Sequence, residues 1–186
     1  MNPAPASSIA LTGHTSGIGM AIHDRLVNLG FEVRGFSRSS GYDITSKNQV
    51  DALLAEIGDC SIFINNAAQD WAQIDLLYRI FDQWKELDKL IINIGSNSGD
   101  GNKSRAYKYA IEKAALDKAT SQLNNIPNSR CRVTTIRPGW VKTPRIAHLE
   151  NNEAMLDAIV IAGIIEWIVK MPKHIHIPNL TVVAKN

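Results

Sequence analysis

Short apolar runs alternate with longer stretches of helical spacing along almost the whole chain, and that alternation leaves few folds open. Ser8-Ile9-Ala10-Leu11 is an apolar run, followed by a glycine-rich turn and a helical stretch from Ile18 to Leu29 that Gly30 closes. Glu32 to Ser37 reads as a second strand, and Tyr42-Asp43-Ile44 as a weak third. Ser46 is placed to cap a helix running to about Ile57, with Val50, Leu53, Leu54 and Ile57 on one face. The rhythm then repeats. Strands are expected at Ser61 to Ile64, Leu90 to Ile94, Arg132 to Arg137 and Leu180 to Ala184, and helices at Ile74 to about Glu86, Arg105 to Leu123 and Asn152 to Lys170. Near-continuous apolar strands between helices imply a parallel sheet covered on both faces. The expectation is an α/β, doubly wound, Rossmann-type domain spanning 1-186, with about seven strands and ligands bound outside their carboxyl ends.

Composition agrees with that picture and removes others. The chain has 186 residues, 45% hydrophobic and 20% charged, which suits a globular domain rather than a disordered one. A net charge of +2 argues against dedicated nucleic-acid binding, which needs a concentrated basic face. Cys60 and Cys131 form no CxxC pair and no disulfide framework, which fits a reducing compartment. The most apolar stretch, Ala158 to Val169, contains Glu166 and falls short of a membrane span. With no basic start and apolar core at the amino end, a cytoplasmic protein with no membrane partner is expected. His174 and His176 have no third ligand of acid or thiol type, so no metal is expected.

Chemistry enters at Thr12-Gly13-His14-Thr15-Ser16-Gly17-Ile18-Gly19, between the first strand and the first helix. Glycines there let backbone N–H groups approach a pyrophosphate at the helix N-terminus. Farther on, Tyr109-Ala110-Ile111-Glu112-Lys113 puts a tyrosine and a lysine four apart on one helix face. A neighbouring ammonium draws a phenol pKa down from its usual value of about 10, as a proton donor to an incipient alkoxide requires. Tyr107 competes for that role, but Ile111 stands four residues on. Ser96 closes the Leu90 to Ile94 strand segment thirteen positions before Tyr109, with Ser98 as a rival serine.

The T-G-x-x-x-G-I-G turn, Asn65-Asn66-Ala67-Ala68, Ser96, the Tyr109/Lys113 pair and Pro138-Gly139-Trp140-Val141-Lys142-Thr143 occur in the order of the short-chain dehydrogenase/reductase family, which the chain resembles over nearly its whole length. The resemblance implies hydride transfer between a nicotinamide dinucleotide and a small carbonyl or alcohol substrate. Tyr109 would be the acid/base, Ser96 would orient the carbonyl, and Lys113 would tune Tyr109 and bind the nicotinamide ribose. It assigns cofactor contacts to Gly13, His14, Thr15, Ser16, Gly17, Ile18, Gly19, Asp43, Asn65, Asn66, Ala67, Tyr109, Lys113, Pro138, Gly139, Val141 and Thr143. Ser37 and Arg38 end the second strand where an NAD site would place an acid, so NADP(H) is favoured over NAD(H).

The pattern also departs from the family. Ala68 replaces a usual glycine, and the asparagine of the family's proton relay is missing, with Asp75 the nearest polar candidate. The region after Pro144 is short, leaving Ser96, Ser98, Gln69, Asp70, Trp71 and Trp140 as candidates to line a substrate pocket. Family likeness implies a homodimer or homotetramer. Two rival readings stay open: a non-catalytic dinucleotide-binding sensor, and an epimerase or dehydratase that regenerates its cofactor.

Overall fold

The structure is a computed structural model, and it describes residues 8–101, 107–147 and 154–185. In chain order the elements are β1 (Ser8–Thr12), α1 (Gly17–Asn28), β2 (Glu32–Phe36), α2 (Lys47–Glu56), β3 (Ile62–Asn65), α3 (Ala72–Trp84), β4 (Leu90–Ile94), α4 (Lys108–Asn124), β5 (Arg132–Pro138), β6 (Val141–Lys142), β7 (Leu156–Asp157), α5 (Ala158–Val169) and β8 (Asn179–Val182). Six strands form one parallel sheet in the order β2-β1-β3-β4-β5-β8. β6 and β7 pair separately as a short parallel ribbon. Arg105 and Asn152, where two helices were expected to begin, lie outside the described residues.

The side-chain period of two explains the two cores. Ala10, Phe63, Ile91 and Val133 point to one face, where they meet Val50 and Leu53 of α2, Leu77 and Ile80 of α3, and Leu116 of α4. Ile9, Leu11, Ile64, Ile92 and Ile136 point to the other, against Ile22 and Leu26 of α1 and Ile161 and Ile165 of α5. Each fully buried aliphatic side chain contributes roughly 1.5–3 kcal/mol relative to exposure, so neither helical layer can be peeled off cheaply.

The main sheet has six strands rather than about seven, because Tyr42-Asp43-Ile44 is a turn. The Asp43 carboxylate accepts from the Thr45 backbone N–H at 2.9 Å and from its hydroxyl at 2.7 Å, and the Ser46 N–H bonds the Asp43 carbonyl. That local Asx geometry satisfies the backbone without a neighbouring strand and delivers the chain directly into α2.

From β1 the chain runs first to β2 on one side, then to β3 on the other. The order therefore reverses at β1, and a crevice opens above the carboxyl ends of β1 and β3. A buried polar ladder fixes those ends. The Asn65 amide donates to Asn93 at 3.0 Å, Asn93 to Thr120 at 3.1 Å, and Thr120 shares a 2.8 Å bond with Thr135. Buried networks of this kind hold neighbouring strands in one register. No helix among the described residues is long and apolar enough to cross a membrane.

Candidate active site

A cleft of about 490 Å³ occupies that crevice, within the range of small-molecule and cofactor sites. Its floor at one end is the glycine turn. Gly17 has φ +55, and a Cβ there would stand 3.3 Å from Thr143 on the facing wall. A Cβ on Gly19 would lie 2.0 Å from the Gly13 carbonyl, so only glycine lets α1 come this close to β1. The Ser16 side chain does not cap α1, and no acid sits in its first turn. The leading N–H groups of α1 are thus left to an outside acceptor, and the dipole there favours an anion.

Beyond β2 the cleft is lined by Ser37, Arg38 and Ser39, then by Tyr42, Asp43 and Ile44. The Ser37 hydroxyl shares hydrogen bonds with Ser39 at 2.9 Å and Ser40 at 3.0 Å, which fixes the hydroxyls beside the Arg38 guanidinium. Asn66 ties the opposite wall down, its amide donating to the Thr12 carbonyl at 3.0 Å and the Gly13 carbonyl at 3.2 Å.

The far end holds Tyr109 and Lys113, from successive turns of α4. Lys113 is only 4% exposed, and its ammonium donates to the Gln73 side chain at 2.7 Å and to the Ile94 carbonyl at 3.1 Å. Burial, helped by the Arg145 charge, lowers its pKa to about 8. Burial also pushes the Tyr109 phenol up; a hydrogen bond with Ser96 and the Arg145 charge oppose that. The sequence reading expected Lys113 to draw Tyr109 down. Instead the ammonium is turned to Gln73, 5.4 Å from the tyrosine ring centre, and the cation acting on the phenol is Arg145.

Most residues singled out in the sequence meet here. Gly13, Thr15, Ser16, Gly17, Ile18, Gly19, Ser37, Arg38, Asp43, Asn66, Ala67, Tyr109, Lys113 and Thr143 all line the cleft, and Gln69 joins them. Ser96 stands at the end of β4, beside Tyr109, and acts to hold its phenol pKa down. Others are placed elsewhere. His14 packs over Gly35, whose missing side chain makes room for the imidazole, and it does not line the cleft. Asn65 is fully buried and spends its amide on the polar ladder. Val141 is core, Pro138 ends β5, and the Gly139 N–H bonds the Val182 carbonyl. Trp71 and Trp140 line neither this cleft nor the smaller chamber next to it. The Ser98 N–H donates to the Ser96 hydroxyl, so Ser98 belongs to the following turn. Asp75 is exposed on α3 and does not approach Lys113.

The partner of Lys113 is Gln73, which sequence reasoning missed. It shares the buried stripe of α3 with Leu77, Ile80 and Trp84, and a lone polar residue on such a stripe was the available signal. Its amide also donates to the Asn65 carbonyl at 2.8 Å and the Ile94 carbonyl at 3.1 Å. Arg145 was missed too, and no motif marks it. It is carried by a 3-10 turn, Pro144–Ile146, and its guanidinium lies 5.9 Å from the Tyr109 ring centre. A chamber of about 30 Å³, room for a single water, lies between Gln73, Tyr109, Glu112, Lys113 and Arg145.

No protein-family model matches the chain. It is 28% identical to an uncharacterized oxidoreductase of Staphylococcus saprophyticus, covering 92% of this chain and 94% of that protein. The alignment spans 221 positions against the 186 residues here, so that relative carries insertions this chain lacks. It is 23% identical to a serine 3-dehydrogenase of Rhizobium radiobacter, covering 97% and 95% of the two chains. Among solved structures, a short chain dehydrogenase from Burkholderia cenocepacia in complex with NADP superposes with a TM-score of 0.82 at 17% identity, covering 96% of this chain and 89% of that one. In its sheet order, and over nearly its whole length, the chain is similar to these dehydrogenases and shares the fold of that short chain dehydrogenase.

Proposed function

We propose that this chain moves hydride between NADP(H) and a small carbonyl or alcohol, with Tyr109 transferring the proton. The observation that carries the reading is one continuous cleft with the glycine turn at one end and Tyr109 and Lys113 at the other. The groups present suit a dinucleotide. Gly13, Gly17, Gly19 and the open N-terminus of α1 would hold the pyrophosphate, and Asn66, Ala67, Lys113 and Thr143 the nicotinamide half. Arg38 with the Ser37 and Ser39 hydroxyls suits a ribose 2′-phosphate, because a planar guanidinium binds phosphate through paired, charge-assisted hydrogen bonds.

The nicotinamide supplies or accepts the hydride. In the reducing direction the Tyr109 hydroxyl donates its proton to the substrate oxygen, and Ser96, beside Tyr109, steadies that oxygen. A phenol whose pKa burial has raised keeps its proton until the oxygen becomes basic. Lys113, held by Gln73 and the Ile94 carbonyl, returns a proton to Tyr109 after the transfer.

The experiment is a titration of the purified protein with NADPH and NADH, followed by NADPH oxidation with a panel of carbonyl compounds by wild type and Tyr109→Phe. Tight NADPH binding in both proteins is expected, with turnover in the variant reduced about 10²–10⁴-fold. Failure to bind either dinucleotide would end the reading.

A further inference from the structure

Arg145 is an exposed cation at the reacting end of the cleft. Its guanidinium lines both the cleft and the small chamber beside Tyr109. Among the described residues, no Asp or Glu oxygen lies within 4.0 Å of it. Of the acids that border the chamber, Asp70 is ion-paired with Lys108, and Glu112, 3.5 Å from the same ammonium, also bears on Tyr109 and Lys113. The second cation near Tyr109, Lys113, is bonded only to the neutral oxygens of Gln73 and Ile94. Two positive charges therefore flank the phenol, 5.4 and 5.9 Å from its ring centre, and the Glu112 carboxylate borders the same chamber.

A guanidinium open to a cleft, with no acid in reach among the described residues, suits an anion. The glycine turn and Arg38 are the groups that would receive the phosphates of a dinucleotide, whereas the Arg145 guanidinium stands 5.9 Å from the Tyr109 ring centre. We infer that the substrate carries a carboxylate, which Arg145 grips while the neighbouring carbonyl or hydroxyl oxygen lies against Tyr109 and Ser96. The small chamber beside the phenol has room only for a water, so the acid would lie in the cleft against Tyr109 and Arg145. A planar guanidinium takes both carboxylate oxygens at once, so it fixes the orientation of the acid as well as attracting it. This inference rests on the proposed hydride-transfer function and adds the substrate class to it.

The test uses the NADPH-loaded protein, with malonate as a carboxylate probe that takes no hydride, and acetoacetate with methyl acetoacetate as a matched pair of substrates. Malonate should bind the wild-type complex by calorimetry, weaken about tenfold or more in Arg145→Gln, and recover in part in Arg145→Lys. The kcat/KM ratio of acid to ester should exceed one in wild type and collapse toward one in Arg145→Gln. NADPH affinity, unchanged in Arg145→Gln, doubles as the folding control. Malonate binding that is absent or indifferent to Arg145, with NADPH still bound, would overturn the carboxylate inference alone. A loss of NADPH affinity in Arg145→Gln would reassign the residue to the cofactor and overturn it equally. No NADPH binding by wild type would instead overturn the proposed function beneath it.

Discussion

The Lys113 ammonium donates to the Gln73 side-chain carbonyl at 2.7 Å, and the Gln73 amide donates in turn to the carbonyls of Asn65 and Ile94. One glutamine on α3 thereby fixes a lysine on α4 and the carboxyl ends of two strands. Gln73 is 3% exposed, so each of these groups depends on its neighbours for a partner. Removing the amide in Gln73→Leu takes a partner from both the Asn65 carbonyl and the buried Lys113 ammonium and should cost about 2–4 kcal/mol of stability. Gln73→Glu should act oppositely on Lys113, since an adjacent carboxylate favours the ammonium and raises its pKa above the present value of about 8. Titration of the Lys113 Cε resonance in selectively labelled protein reads that shift directly. An unmoved resonance in Gln73→Glu would reduce Gln73 to a packing residue.

Arg38 and its serine neighbours make the cofactor choice testable without turnover. Arg38→Ala should weaken NADPH binding about 10–100-fold, by loss of charge-assisted bonds to the 2′-phosphate, and leave NADH binding where it was. Fluorescence titration of both nucleotides against wild type and variant measures it. Equal losses for the two would mean that Arg38 serves a part of the cofactor they share.

Two glycines on helices should respond with opposite signs. In Gly19→Ala the new methyl would meet the Gly13 carbonyl at 2.0 Å, a backbone atom that cannot swing aside. α1 must then move off β1, and dinucleotide binding and the thermal midpoint should both fall. Gly163, inside α5, has nothing closer to its missing side chain than Arg25 at 3.9 Å. Gly163→Ala should therefore stabilise the protein by roughly 0.5–1 kcal/mol through helix propensity and unfolded-state entropy. Thermal melts of the two variants side by side decide the matter.

What was legible in the sequence was whatever local spacing controls. The strand–helix rhythm placed β1, β3, β4 and β5, and the glycine turn and the Tyr109/Lys113 pair marked both ends of the cleft. The missing edge strand shows where that reasoning fails, since apolar residues at Tyr42 and Ile44 suggested a strand that the Asp43 side chain forestalled by bonding its own backbone neighbours. Asn65 and His14 failed differently. Each sits within a motif, but burial on the polar ladder and packing over Gly35 are decided by residues distant in sequence. Gln73 and Arg145 reach the site from α3 and from a turn after β6, and no spacing along the chain relates either to Tyr109. The charges at the reacting end, Arg145 and Lys113 beside Glu112, are likewise brought together by tertiary placement.

The buried lysine also sets a pH dependence. With a folded pKa of about 8 against 10.5 as its ordinary value, Lys113 is protonated in both states below pH 8, where folding bears the cost of burying its charge. Between pH 8 and 10.5 the folded protein has released the proton while the unfolded chain still binds it. Stability from this group therefore rises with pH across that window, by up to roughly 3 kcal/mol, and is level above it. Lys113→Met removes the titration, so urea unfolding of both proteins from pH 7 to 10 isolates it: wild type should gain on the variant as pH rises. Because the Arg145 charge also lowers the Lys113 pKa, Arg145→Gln should shift the onset of that gain to higher pH. A difference between wild type and Lys113→Met that stays flat across the window would mean that the lysine is not held as a costly buried cation, and that its bonds to Gln73 and Ile94 offset the burial in full.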